Sequence, residues 1–308
     1  MNISDKPTVL QGIIPPMVTP LLDANTLDES GVERLVEHLI SGGVNGIFIL
    51  GTTGEAQHVC FDVKKALIRK TAACIGGRVP LLVGATDTSL TDSLKIAQIA
   101  ADNNASAIVA APPYFFALGQ SELVDYYKSL ADQSPVPVFL YNMPSHTKTM
   151  IEIDTVTVLA QHKNVIGIKD SSANGVYFCK LIHLFRDRPE FRMFVGPEEM
   201  MPAMVLMGAH GGIPGGGNVY PEIFVQTYKA AAAKDVHKTL ELCQRMMVIS
   251  KELYGLGTYS ASYIKGIKTA LSLKGICNDL LTPPFNRFQE SEIDKVRIAV
   301  EKLDKMFT

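Results

Sequence analysis

Eight short apolar runs punctuate the first three quarters of the chain, and their recurrence limits the possible folds more than any other feature. They are Gly12–Met17, Gly46–Leu50, Val79–Val83, Ala107–Ala110, Val136–Leu140, Val165–Ile168, Phe191–Val195 and Gly211–Pro214. Each has the length of one buried strand and is too short for an ordinary helix. Between them lie stretches of helical periodicity. In the clearest, Val32, Leu35, Val36, Leu39 and Ile40 follow the i, i+3, i+4, i+7, i+8 spacing of one buried face. Another has Thr88 as a cap ahead of Leu94, Ile96, Ala97 and Ala100. Strands alternating with helices at about 30 residues per unit predict an α/β chain folded as a (β/α)8 TIM barrel. The last two runs are the weakest, so a doubly wound open sheet is the structural alternative. Against it, no GxGxxG follows the first strand.

After about Lys229 the strands stop. Val236–Ile249, Ser260–Leu273 and Ser291–Met306 read as three helices, the last opening with Ser291 and Asp294 at capping-box spacing. The expected organisation is a barrel over residues 1–229 and a C-terminal three-helix extension over 230–308. No Gly-, Ser- or Pro-rich linker divides them.

Composition excludes several classes of function. With 308 residues, 47 % hydrophobic and 19 % charged, the chain can bury a sizeable core. A net charge of −2 and a pI of 6.4 give no attraction to nucleic acid or anionic membrane. No apolar run approaches a membrane span of about 20 residues. Met1 to Leu10 lacks the pattern of a signal peptide. The five cysteines (Cys60, Cys74, Cys179, Cys243, Cys277) are odd in number and never form CxxC, which suits reduced thiols in a cytoplasmic protein.

Chemistry gathers at the ends of the runs. Val165 to Ser172 reads Val-Ile-Gly-Ile-Lys-Asp-Ser-Ser, a buried strand that delivers Lys169 to its carboxyl end. Active sites of parallel barrels sit at that end, and a buried lysine is a nucleophile towards carbonyl carbons. The bland reading is a lysine that snorkels out of a strand end. Its company shifts the balance. The second run leads into Gly51-Thr52-Thr53-Gly54-Glu55, whose glycines allow close backbone approach and whose threonines add hydroxyls, a cradle the size of a carboxylate. The fifth leads into Tyr141-Asn142-Met143-Pro144-Ser145-His146-Thr147, where the tyrosine is either a proton shuttle or a core aromatic. The eighth leads into Gly211-Gly212-Ile213-Pro214-Gly215-Gly216-Gly217-Asn218. This lacks the GK[ST] ending of a P-loop, so tight packing or space for a substrate ranks above phosphate binding.

Gly-Thr-Thr-Gly-Glu, Tyr-Asn-x-Pro, Gly-Ile-Lys-Asp and Gly-Gly-x-x-x-Gly-x-Asn, in this order and spacing, resemble the dihydrodipicolinate synthase/N-acetylneuraminate lyase family over essentially the whole chain, including Lys265 and Pro283-Pro284. The resemblance implies class I aldolase chemistry on pyruvate or another 2-oxo acid, with no metal or organic cofactor. By that analogy Lys169 forms the Schiff base, Tyr141 is the acid/base group, and Thr52 relays protons to it. Thr53, with Gly51 beside it, holds the pyruvate carboxylate, and Ile213 lines the pocket through its carbonyl. The resemblance also implies a homotetramer built from dimers.

Two positions depart from the family pattern. Dihydrodipicolinate synthases carry an arginine two residues after the proline of Tyr-Asn-x-Pro, where it grips the second substrate's carboxylate; here that residue is His146. The tyrosine that many members reach across a subunit interface falls on Phe115, leaving Tyr114 or water to complete the relay. Glu198 and Glu199 stand where sialic acid lyases bind sugar hydroxyls, and Ser171 can also meet a polyol. An acidic pair at a helix start is equally explained by the helix dipole. The favoured partners are therefore pyruvate and an aldehyde, or the corresponding 2-keto-3-deoxy sugar acid or sialic-acid-like 2-oxo acid. Alternatives are 4-hydroxy-tetrahydrodipicolinate synthase, which condenses pyruvate with aspartate semialdehyde, and a catalytically silent 2-oxo-acid-binding protein.

Overall fold

The computed structural model describes residues 10–307. The expected lack of a leader concerns residues 1–9, which lie outside the described residues. Eight parallel strands form one sheet: β1 (Gly12–Ile13), β2 (Ile47–Ile49), β3 (Leu81–Gly84), β4 (Ala107–Ala110), β5 (Val138–Asn142), β6 (Val165–Asp170), β7 (Arg192–Val195) and β8 (Gly211–Gly212). Each pairs with its chain neighbour from β2 to β8, and β8 pairs with β1. A bridge from Pro16 to Phe48 joins the end of β1 to β2 and closes the barrel. The open-sheet alternative is thereby excluded. The two glycines of β8 suit their place, because a Cβ on Gly211 would lie 1.9 Å from the Gly12 carbonyl oxygen.

Around the barrel run α1 (Glu29–Ser41), α2 (Phe61–Ile75), α3 (Leu90–Asp102), α4 (Gln120–Gln133), the short α5 (Pro144–Thr147), α6 (Ile153–Leu159), α7 (Gly175–Phe185), α8 (Met201–Met207) and α9 (Pro221–Ala232). Helix α1 buries Val32, Leu35, Val36 and Leu39, the stripe expected from its periodicity, and Asp28 caps it through the Gly31 amide. The cap of α3 is Ser89 rather than Thr88: its hydroxyl accepts from the Asp92 amide.

The extension comprises α10 (Val236–Tyr254), α11 (Ser262–Leu273) and α12 (Glu290–Phe307). Helix α9 runs through position 229 and ends at Ala232. Helix α12 starts earlier than the Ser291/Asp294 spacing suggests. The Glu292 carboxylate accepts from the Gln289 amide, placing the box two residues upstream.

Two apolar cores result. One fills the space between strands and helices, and the other fills the barrel interior with Ile14, Phe48, Leu82, Val109, Phe139 and Phe194. Strand β6 changes side partway along. Val138 of β5 faces Val165, but the next residue, Phe139, faces Gly167. The extra residue is a bulge. Val165 and Ile168 both pack on the helix side, so Lys169 turns inward, which strict alternation from Val165 would not allow.

Candidate active site

At the carboxyl end of the barrel lies a cavity of about 600 Å³. Lys169 reaches it from β6, with only 4 % of its surface exposed. Its Nζ lies 3.9 Å from the Tyr141 ring centroid and 5.0 Å from that of Phe48, so the amine stands on an aromatic floor. Tyr141 is the residue directly opposite Lys169 in the β5–β6 ladder. Its hydroxyl is 3.2 Å from Thr52 Oγ1. Burial pushes the Tyr141 phenol up. The Lys169 charge and hydrogen bonds to Thr52, Lys169 and Ser171 outweigh it, leaving the phenol below its usual range. A phenol so biased exchanges its proton more readily.

The neighbouring residues on the two strands hold this pair. Asp170 accepts from Asn142 Nδ2 at 2.7 Å and from the Ser172 amide and hydroxyl, while Asn142 Oδ1 takes the Ile151 amide. Burial raises the Asp170 carboxyl and these bonds partly offset it.

The Gly51–Glu55 loop folds on itself: the amides of Gly54 and Ala56 bond to the Gly51 carbonyl, and that of Glu55 to Thr52. Among the described residues, the Thr52 and Thr53 amides take no part in these bonds. Gly51 is pressed against Phe48, where a Cβ would stand 2.7 Å from the ring. Glu55 anchors the loop's far end, with a backbone φ of 56°. Its fully buried carboxylate pairs with the ammonium of Lys268 in α11 and accepts from the Thr282 amide at 2.8 Å, while Lys268 also donates to the Leu280 carbonyl. Thr53 and Ile213 both line the cavity and are almost fully buried.

The three remaining expected residues also line the cavity, in different states. His146 sits on α5 with its Nδ1 3.0 Å from Ser145 Oγ. Burial, and then the Lys169 charge, lower its proton affinity, so at neutral pH it is an uncharged hydrogen-bonding group. Ser171 is held by its amide on the Asn142 carbonyl, and its side chain fills the space where a Cβ of Gly196 would be. Glu198 is buried and engaged on both oxygens, by Tyr254 Oη at 2.6 Å and by the Gly216 amide at 3.0 Å. Burial pushes its carboxyl up to about 7. Glu199 accepts from Ser250.

Sequence reasoning missed the contribution of the extension. Tyr254, Ser260, Ala261, Tyr263 and Ile264 form one wall of the cavity, and Phe285, tilted against His58 with ring centroids 4.5 Å apart, lines it too. Two glycines of the tract after β8 leave room for these tyrosines. A Cβ on Gly215 would lie 1.5 Å from Tyr263 Oη, and one on Gly216 2.6 Å from Tyr254 Oη. Two tyrosines nine residues apart in the three-helix extension were the available signal. Tyr114 lines the cavity, whereas Phe115 points to solvent, 74 % exposed. Lys169 is the only lysine lining the cavity among the described residues, and no arginine lines it.

The dihydrodipicolinate synthetase family model matches residues 9–303. A relative from Escherichia coli K12 named "Probable 2-dehydro-3-deoxy-D-pentonate aldolase YjhH" is 32 % identical over 94 % of this chain and 96 % of its own. Among solved structures, dihydrodipicolinate synthase from Bacteroides thetaiotaomicron is 47 % identical and superposes with a TM-score of 0.93, covering 98 % of this chain and 100 % of that one. The Escherichia coli K12 prophage protein YagE, solved with pyruvate, is 29 % identical with a TM-score of 0.90, over 96 % of this chain and 99 % of YagE.

Proposed function

Because the chain belongs to the dihydrodipicolinate synthetase family, we propose that it is a class I aldolase that joins pyruvate to a neutral, hydroxylated aldehyde, or cleaves the resulting 2-keto-3-deoxy sugar acid. The observation that carries the reading is the buried Lys169 amine beside the Tyr141–Thr52 hydroxyl pair. The amine adds to the keto carbon of pyruvate, water leaves, and a protonated imine forms. That imine draws electrons from the adjacent carbon, which loses a proton to give an enamine. The enamine carbon attacks the aldehyde, whose oxygen takes a proton from Tyr141. Hydrolysis of the imine frees Lys169 and the product. Cleavage is the reverse sequence. Thr53 and the free amides of its loop receive the carboxylate of the 2-oxo acid.

The choice of aldehyde rests on the charge of the lining. A substrate with a second carboxylate needs a cation there. Lys169 is taken up in the imine, His146 is neutral, and Glu198 and Glu199 add acidic groups. Neutral hydroxyls suit Ser171, His146, Gln57 and Ser260, which line the same space. A second reading, condensation with aspartate semialdehyde, is favoured by the 47 % identity to the Bacteroides synthase.

Borohydride reduction with pyruvate, followed by intact mass and peptide mapping, tests the chemistry. The expected result is one reduced pyruvate adduct, on Lys169; an unmodified mass on folded protein overturns the aldolase reading. Pyruvate consumption with glyceraldehyde against aspartate semialdehyde then decides the partner.

The exposed Phe115 and Phe116, 74 % and 75 % accessible and packed edge to face, and the apolar Val176 and Leu184 on α7 support a homotetramer. No helix among the described residues is long and apolar enough to cross a membrane, and the five free cysteines suit a cytoplasmic location.

A further inference from the structure

We infer that Tyr263, from the C-terminal extension, is a substrate-binding residue whose phenol O–H donates to the carboxylate of the 2-oxo acid alongside Thr53. The inference rests on the aldolase reading above and adds to it a binding group outside the barrel. Three observations carry it. Tyr263 Oη lies 3.4 Å from Thr53 Oγ1, at the long end of hydrogen-bond range, so the phenol is beside the cradle without being tightly engaged there. The cavity is lined by both residues. A Cβ on Gly215 would lie 1.5 Å from the hydroxyl, so the backbone after β8 leaves room for this phenol.

The neighbouring tyrosine differs. Tyr254 donates to Glu198 at 2.6 Å and its proton is already committed. The two rings meet edge to face at 4.8 Å, which fixes the plane of Tyr263. Burial, with the Glu198 charge behind it, pushes the Tyr263 phenol far above its usual range. It therefore keeps its proton and acts as a donor, whereas Tyr141 below it is biased towards exchange. Two phenols in one cavity thus have separate tasks, one holding the anion and one moving the proton. A hydrogen bond to a charged acceptor in a cavity of this kind is worth on the order of tenfold in affinity.

The test is borohydride trapping on Lys169 over a range of ketone concentrations, with pyruvate and with hydroxyacetone, which offers the carbonyl without the carboxylate. For Tyr263→Phe the half-saturating pyruvate concentration should rise on the order of tenfold, with full labelling retained at saturation and the hydroxyacetone value within about twofold of the parent. Gly215→Ala, which pushes the phenol aside, should show the same pattern. An unchanged pyruvate value in Tyr263→Phe, or equal shifts for both ketones, overturns the inference while leaving the aldolase reading intact. If the unmutated protein takes no label from pyruvate, the aldolase reading fails and the inference falls with it.

Discussion

Tyr141 and His146 make the same point about single residues: their chemistry depends on what surrounds Lys169. Tyr141 is drawn below the usual phenol range by the lysine charge and its hydrogen bonds, against the effect of burial. Tyr141→Phe removes the proton but keeps the ring under the amine. Turnover should fall by roughly 100- to 10,000-fold, while borohydride trapping of pyruvate on Lys169 persists; loss of trapping would assign Tyr141 to imine formation instead. His146 lacks the permanent charge of arginine, and the nearby ammonium weakens its proton affinity further. His146→Arg should therefore shift preference from a neutral aldehyde towards aspartate semialdehyde, read as the ratio of kcat/KM values. Both residues were legible in the sequence because each sits next to a proline-marked strand end. The state of Glu198 was not. Nothing in Gly-Pro-Glu-Glu says that a tyrosine 56 residues later will occupy one of its oxygens.

At the scale of elements, the barrel strands were readable as short apolar runs, because they are buried on both faces almost throughout and need no alternation. That same uniformity hid the bulge in β6. Val-Ile-Gly-Ile is apolar whichever way each side chain points, so only the pairing of Phe139 with Gly167 reveals the change of side. Helix α11 is legible as a helix, and its sequence gives no local sign that Lys268 faces Glu55. The pair is fully buried, and removing one member strands the other's charge. Lys268→Met should destabilise the fold by about 3–5 kcal/mol. It should also raise the pyruvate concentration needed for trapping, because Glu55 ends the Thr52–Thr53 loop. Adding Glu55→Gln should restore much of the stability, measured by urea unfolding. A loss of stability without any change in trapping would separate the ion pair from the cradle.

For the whole molecule, a buried carboxyl and a half-buried imidazole set opposing dependences on pH. Glu198 has its carboxyl raised by burial from 4.5 to about 7. The native state therefore holds a proton that the unfolded state has lost, and stability declines as pH rises from about 4.5 to about 7, by up to about 3 kcal/mol. His210 is lowered by burial, and by Arg192, from 6.5 to about 4. Its Nδ1 accepts from the Met193 amide and resists protonation. Here the unfolded state holds the extra proton, and stability is lost as pH falls from about 6.5 to about 4. Glu198→Gln should flatten the first dependence and His210→Asn the second, in thermal unfolding across that range; unchanged profiles in both would place the dependence elsewhere.

The buried Glu55–Lys268 contact has a further consequence, in the order of synthesis. Its members stand 213 residues apart. At about 5–20 residues per second, the carboxylate waits on the order of ten to forty seconds for its ammonium. Until α11 emerges, the barrel can hold the lysine, the tyrosine and the threonines, yet it keeps an unmatched charge where its interior should close. Completion of the tail is then what closes the barrel's interior, and a chain cut short before Lys268 carries Lys169 while leaving Glu55 without its ammonium.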